Sequence, residues 1–397
     1  MNPKQHVAER IDRAHASLVR LSHALYENPE PGFEEHKASA WLGDLLSEAG
    51  FTVERGVCDL PTAFVASYGS GPLEVAFDAE YDCLPGIGHA CGHNVIAATS
   101  AGAAIAAAAV ADELGLTVKV IGTPAQELGG GKILMLERGA FDGVHAVLMA
   151  HPGPLDVAET VTLAMSHFDV EYHGRESHAS MFPEDGLNAL DALTTAQVSI
   201  GLLRQQMRST DRVHGVVRQG GDAPHVIPHH ITAEYMVRAA TLDELQGLEA
   251  RVRDCFQAGA LASGTSMELR SYHPPYAEQR QDAELLALYK ANATAVGRTF
   301  PELDPALVRR AAGASDFGNV SHVIPAIQPS LGLDSFPAVP HQADFAAHTV
   351  TPVADRAIKE GATALAATAV DAALIPALRD RLTAGYFSAA AAYGTAG

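Results

Sequence analysis

The sequence predicts an α/β protein: a mixed sheet between helices, interrupted by a smaller βαββαβ unit. Short apolar runs alternate with longer patterns of helical period, the arrangement of a sheet covered on both faces. Polar residues able to do chemistry stand at the ends of those runs, where sites gather in such folds. Near residue 163 the style changes to polar–apolar alternation, and near residue 275 the first style resumes. With 397 residues the chain is long enough for two cores. The expected division is 1–162, 163–273 and 274–397, the middle segment being inserted into a domain made by the other two.

Val7, Ile11, Ala14, Leu18, Leu21 and Leu25 recur at helical spacing and predict a helix over 4–27, ended by Asn28-Pro29-Glu30-Pro31-Gly32. A second helix is expected over 34–48, with Ala49-Gly50 as its stop. Strands follow at 62–68 and 73–78, around the turn Gly69-Ser70-Gly71-Pro72. Val95 to Ala111 is mostly alanine, which is far less lipophilic than leucine, so it reads as a buried helix packed closely on a sheet. Apolar runs at 116–122 and 145–151 predict two more strands, the second stopped by Pro152-Gly153-Pro154. In the middle segment strands are expected at 167–172, 213–219, 231–238 and 266–271, with helices over 186–207 and 242–261. The larger domain resumes with a helix over 281–296, and the tail 386–397 is expected to fray.

Hydrophobic content of 47% and charged content of 19% describe an ordinary globular protein. The formal net charge of -20 argues against nucleic acid, because phosphate binding needs clustered Lys and Arg. Cys58, Cys83, Cys91 and Cys255 are too sparse for a disulfide framework. The N-terminus is polar and amphipathic without an apolar signal core. A cytoplasmic protein with no membrane or nucleic-acid partner is the expectation.

The chemistry centres on His89 to Asn94, HACGHN. Cys91 and His93 are ligand types that zinc and similar ions prefer, and Gly92 between them makes the tight turn they need cheap. Glu127 follows the run at 116–122, His151 ends the run at 145–151, and His341 lies far toward the C-terminus. Each has an ordinary alternative. Cys91 could be a buried thiol, Glu127 an acid at a helix N-terminus, His151 a strand cap and His341 a solvated loop residue beside Pro340. Together the five supply thiolate, imidazole and carboxylate for two divalent ions, each with an open position for water. A bridged pair would lower the pKa of that water and polarise a carbonyl oxygen.

The runs EYDCLPGIGHACGHN (80–94), GTPAQELGGGK (122–132), AHPGP (150–154), GRESHAS (174–180) and ASDFGNVSHVIPAI (314–327) resemble one family. It is that of the two-metal amidohydrolases and exopeptidases, including aminoacylase, carboxypeptidase G and the auxin-conjugate amidohydrolases. The first run is most similar to the branch containing aminobenzoyl-glutamate hydrolase and the β-alanyl-lysine dipeptidase-like proteins. The resemblance covers almost the whole chain, from Asn28 to beyond His341. It implies a zinc-exopeptidase-like catalytic domain with the inserted unit as a lid, often also a dimerisation surface, so a homodimer is expected. It implies that Cys91 bridges two metal ions, Zn or Mn, with His93 and His151 completing one and Glu127 and His341 the other. Asp82 matches the acid that orients the metal ligands. His178 matches a lid histidine that donates to the oxyanion, and Arg238 a lid arginine available to a substrate carboxylate. A surface ion pair is the ordinary alternative for Arg238. Asn319 is expected to add a polar contact.

Two positions depart from the family pattern. Where the family usually has two consecutive glutamates, this chain has Gln126-Glu127, and the first glutamate is the general base. A glutamine amide has no pKa suited to shuttling a proton. Three explanations stay open: a disabled variant, a homologue whose base is another group, or a binding protein that keeps metals and lid without catalysis. His225 stands where the family tends to have Asn, and an extra imidazole there bears on substrate choice. The activity implied is hydrolysis, by metal-activated water, of the amide in an N-acyl amino acid or dipeptide-like small molecule.

Overall fold

Leu73–Glu80 is the strand about which the larger sheet is arranged. The computed structural model describes residues 2–304, 306, 308, 312–385, 387–389 and 392. Much of the tail expected to fray, namely 386, 390, 391 and 393–397, lies outside the described residues. The chain divides into two units, one formed by Met1–Val161 with Gln279–Gly397 and the other by Thr162–Glu278.

In the first unit, helices α1 (Pro3–Glu27) and α2 (His36–Glu48) precede strands β1 (Thr52–Arg55), β2 (Phe64–Tyr68) and β3 (Leu73–Glu80). Helix α3 (His93–Ala108) has every residue buried. Alanine and glycine let its neighbours approach: a methyl on Gly102 would stand 2.6 Å from Leu18 of α1. The helix expected to reach Ala111 ends at Ala108, and a separate turn, α4 (Ala111–Leu114), stops at Gly115 in the left-handed region with φ 63°. Strand β4 (Leu116–Thr123) pairs parallel with β3 and antiparallel with β2, and β1 joins the edge antiparallel to β2. Sequence reading missed β1 because Thr-Val-Glu-Arg at a half-exposed edge has no apolar run to announce it.

After α5 (Gly131–Glu137), the run expected as one strand at 145–151 divides. Strand β5 (Ala146–Leu148) pairs parallel with β3, whereas β6 (His151–Gly153) leaves that sheet. Pro152 has no N–H to continue a central ladder.

The second unit runs β7 (Ala164–His173), α6 (Ala189–Leu203), β8 (Arg212–Gln219), β9 (His230–Ala239), α7 (Leu242–Ser263) and β10 (Ser266–Ser271). Its antiparallel sheet has the order β10-β7-β9-β8. Phe168, Val170, Tyr172, Ile231, Ala233 and Tyr235 form a core with residues of both helices. The alternate residues of β7 and β9 therefore occupy the other face of the sheet.

The first unit resumes with α8 (Ala283–Ala295), α9 (Phe317–Ser321), β11 (Ala326–Ile327) and β12 (Ser330–Gly332). Strand β11 completes the mixed sheet β1-β2-β4-β3-β5-β11, and β12 pairs parallel with β6. Helices α10 (Ala343–His348), α11 (Pro352–Leu374) and α12 (Pro376–Ala384) follow, with α1 and α11 packing on α3. Among the described residues no single helix is long and apolar enough to cross a membrane.

Candidate metal centre

The parallel register of β3 with β4 ends with Glu80 beside Thr123, so the loops after both strands open at one level. The first loop carries Asp82 and Cys91 and leads into α3, whose first residue is His93. Gly92 caps that helix in the left-handed region, φ 84°, and a methyl there would stand 2.8 Å from the Pro152 ring. The second loop carries Gln126 and Glu127. His151 opens β6, and His341, at φ 69°, comes from the loop after β12. The His341 N–H donates to the Ala90 carbonyl at 2.8 Å, which ties the distant C-terminal loop to the one bearing Cys91.

These segments bring five donors together. Cys91 Sγ lies 3.5 Å from His151 Nε2, His93 Nε2 lies 3.8 Å from Glu127 Oε1, and His341 Nε2 lies 3.5 Å from Glu127 Oε2. The donor atoms of Cys91, His93 and His151 all fall within 4.8 Å of one another, as do those of Cys91, Glu127 and His341. Ligands held about 2.0–2.3 Å from one ion stand roughly 3–4 Å apart, so both groups have the spacing of a coordination shell. Cys91 belongs to both.

Hydrogen bonds behind the donors set their direction. His93 Nδ1 is 2.8 Å from Asp82 Oδ1 and 2.9 Å from the Asp82 carbonyl, and His151 Nδ1 is 2.9 Å from the Pro152 carbonyl. With Nδ1–H directed at those oxygens, each Nε2 is left as a lone pair facing inward. The other Asp82 oxygen accepts the Glu127 N–H at 3.0 Å, so one carboxylate steadies both loops.

The electrostatics ask for a cation. Burial, and after it the Glu127 carboxylate, pushes the Cys91 thiol far above its ordinary pKa. Burial also raises Glu127 and lowers His151. Burial opposes charge on His93, yet Asp82, Cys91 and Glu80 together hold its pKa well above the usual imidazole range. A divalent ion reverses this logic, because a coordinating thiol is deprotonated outright. His93 Nε2 and Glu127 Oε1 are buried without a hydrogen-bond partner, which is costly for bare polar atoms. The donor set therefore fits metal ions. A recess of about 130 Å³, lined by Pro31, Phe33, Asp82, Cys83, Ala125 and Glu127, opens beside it.

The chain matches the profile of peptidase family M20/M25/M40 over residues 76–371. The chain belongs to that family. It is 38% identical to the Xaa-Arg dipeptidase of Mus musculus over 94% of this chain and 90% of that protein. It is 32% identical to one of the p-aminobenzoyl-glutamate hydrolase subunits of Escherichia coli, over 66% of this chain and 59% of that one. In fold it is similar to a dinuclear metal binding peptidase of the M20 family from Bacillus subtilis. That likeness has a TM-score of 0.68 at 22% identity and covers 92% of this chain and 99% of the other. A Klebsiella pneumoniae aminobenzoyl-glutamate utilization protein gives 0.72 at 20% identity, covering 91% and 97%. The chemistry of the M20 family is metal-dependent amide hydrolysis, and the mixed α/β fold is the M20 fold.

The remaining residues expected at an M20 site lie as follows. Gln126 is buried directly before Glu127. Asn319 is half-buried on α9. In the second unit, His178 and His225 are both exposed with ring centroids 6.5 Å apart, and the backbone N–H groups of Ser180 and Met181 donate to His178 Nδ1. Arg238 is on β9, with Nε donating to His214 Nε2 at 3.4 Å. His89, the first imidazole of HACGHN, is buried and belongs to neither donor group.

Sequence reading passed over a fully buried ion cluster beside these donors. Lys132 Nζ lies 2.6 Å from Glu80 Oε1, 2.9 Å from Asp316 Oδ1 and 3.7 Å from Asp78 Oδ2. Glu80 Oε2 in turn lies 3.3 Å from His93 Nε2. Burial raises Asp78 and Asp316; at Glu80 burial is the largest single influence, but Lys132, His93 and His151 together overcome it and lower the carboxyl. A signal was present: Asp78 and Glu80 stand two apart in a strand that is otherwise apolar near its end, and Lys132 opens an apolar helix.

Proposed function

We propose that this chain is a two-metal amidohydrolase acting on a dipeptide-like or N-acyl amino acid amide; the observation that carries it is the pair of donor groups sharing Cys91. In this reading two ions, Zn or Mn, would be held by Cys91, His93 and His151 and by Cys91, Glu127 and His341, Cys91 serving both groups. Bound there, the ions would supply Lewis acidity toward a carbonyl oxygen and make water acidic enough to act near neutral pH. The protein's residues supply position and proton control. Asp82 fixes the His93 tautomer and the Glu127 loop. His178 is assigned the donor to the developing oxyanion, Arg238 the fork for a substrate carboxylate, and Asn319 and His225 polar contacts with substrate. Gln126 holds the general-base position and takes up no proton there.

The extended likeness to a relative named Xaa-Arg dipeptidase puts dipeptides ending in Arg or Lys first among substrates, and the net charge of -20 suits a cationic ligand. The inserted unit is assigned the lid and the dimer contact, supported by exposed Val198 and Leu202 on α6 and Leu261 on α7. All four cysteines are free, which supports a reducing compartment such as the cytoplasm. Gln126 favours a second reading, a catalytically silent homologue that binds its ligand without turnover.

The deciding experiment compares this protein with Gln126→Glu, both loaded with Zn or Mn, on Xaa-Arg and Xaa-Lys dipeptides, aminobenzoyl-glutamate and N-acetyl amino acids. The Glu form is expected to be faster by about 10²–10⁴-fold, the usual worth of a general base. Equal rates would assign proton transfer to another residue. No turnover by either protein, with a dipeptide still bound, would establish the silent homologue.

A further inference from the structure

The open face of the second unit's sheet carries another set of metal-ligating side chains. Glu171 and His173 stand two apart on β7 and so share a face, and His173 is paired across the ladder with His230 of β9. The intervening residues Val170, Tyr172 and Ile231 face the core. The imidazoles of His173 and His230 stack with centroids 4.8 Å apart and planes 10° apart. Their Nε2 atoms lie 3.7 Å and 3.3 Å from the same oxygen, Glu171 Oε2, and the three donors fall within 4.8 Å of one another. The other Glu171 oxygen accepts from Arg270 of β10 at 3.0 Å. Arg270 thus fixes the carboxylate with one oxygen turned to the imidazoles, as outer partners do for metal-binding carboxylates.

We propose that Glu171, His173 and His230 form a divalent-cation site of zinc type within the inserted unit, in addition to the two donor groups that share Cys91. Two imidazoles and a carboxylate with open positions are a recognised zinc donor set. The separations of 3.3 and 3.7 Å match ligands of one ion about 2.0–2.2 Å away. An ion here ties β7 to β9 through side chains as well as the ladder.

The test counts ions on the full chain. Wild type, His173→Ala, His230→Ala and Glu171→Gln are saturated with zinc chloride, desalted, and analysed for zinc per chain by mass spectrometry. Wild type is expected to retain one more zinc than each variant, and the zinc concentration that half-fills this step should rise at least tenfold in the variants. Hydrolytic rate and the circular dichroism of metal-free protein should not change. Because the readout is a difference of one ion, it does not depend on what the Cys91 groups hold. Equal zinc content in all four proteins would overturn the proposal. Should a variant fail to fold, the imidazole carbon resonances of His173 and His230 in wild type decide: they should shift on zinc addition, and unshifted resonances would overturn it.

Discussion

Lys132 shows at the scale of one residue how the larger unit tolerates buried charge. Its ammonium is enclosed with three carboxylates, and nothing of any of the four is exposed. Removing one partner of a buried ion cluster leaves uncompensated charge, which costs about 3–5 kcal/mol. Lys132→Met, close in volume, should therefore lower the unfolding free energy by that order, seen as an earlier midpoint in urea titration of metal-free protein. An unchanged midpoint would mean that the carboxylates are neutral and that Lys132 is not what holds them. The ammonium beside Glu80, together with His93 and His151, also keeps that carboxylate ionised, so the cluster contributes to the field at the His93 imidazole.

At the scale of an element, the junction of the loop with α3 positions the Cys91 and His93 donors. Gly92 must take φ 84° to turn the chain from Cys91 into the helix, and a methyl would also meet Pro152. A non-glycine residue in the left-handed region costs about 1–2 kcal/mol before the clash is counted. Gly92→Ala should melt earlier and retain less zinc than wild type after the same dialysis. If it melts earlier but keeps the full complement of zinc, the turn serves folding alone. The neighbouring β5–β6 break acts in the same way: by leaving the central sheet at Met149, the chain brings His151 to the donor cluster, where a continuous strand would have kept it in the ladder.

For the folded molecule, buried acids make stability depend on pH. Glu35 accepts from Thr62 Oγ1 and from the Ala125 N–H, both at 2.8 Å, and burial, with Asp82 next, raises its pKa from 4.5 to about 7. A raised carboxyl binds its proton more tightly in the folded state. Its contribution is therefore fully present below pH 4.5 and is lost as pH rises through about 7. Glu35→Gln cannot ionise and should escape that loss. Relative to wild type, the metal-free variant should gain about 1–3 kcal/mol between pH 5 and pH 8, measured by denaturant titration at both values. A difference that does not change with pH would mean that Glu35 titrates normally.

Much of this protein follows from local pattern alone. Helical spacing from Val7 to Leu25, the apolar runs at 73–78 and 116–122, and the alternation in β7 to β10 identify those elements because side-chain periodicity reports which face is buried. The donors Cys91, His93, Glu127, His151 and His341 are legible because thiol, imidazole and carboxylate at strand ends and loops form a chemically distinctive set. Edge strand β1, the break after Leu148 and the Lys132 cluster are not legible in this way. Each depends on partners remote in sequence, such as β2, Ser330–Gly332 and Asp316; local composition marks the charges of the Lys132 cluster but not which of them pair. The pairing of His173 with His230 is likewise a matter of strand register. Sequence determined which chemical groups are present, whereas only the tertiary structure decided which of them meet, because distances between remote residues are set by packing.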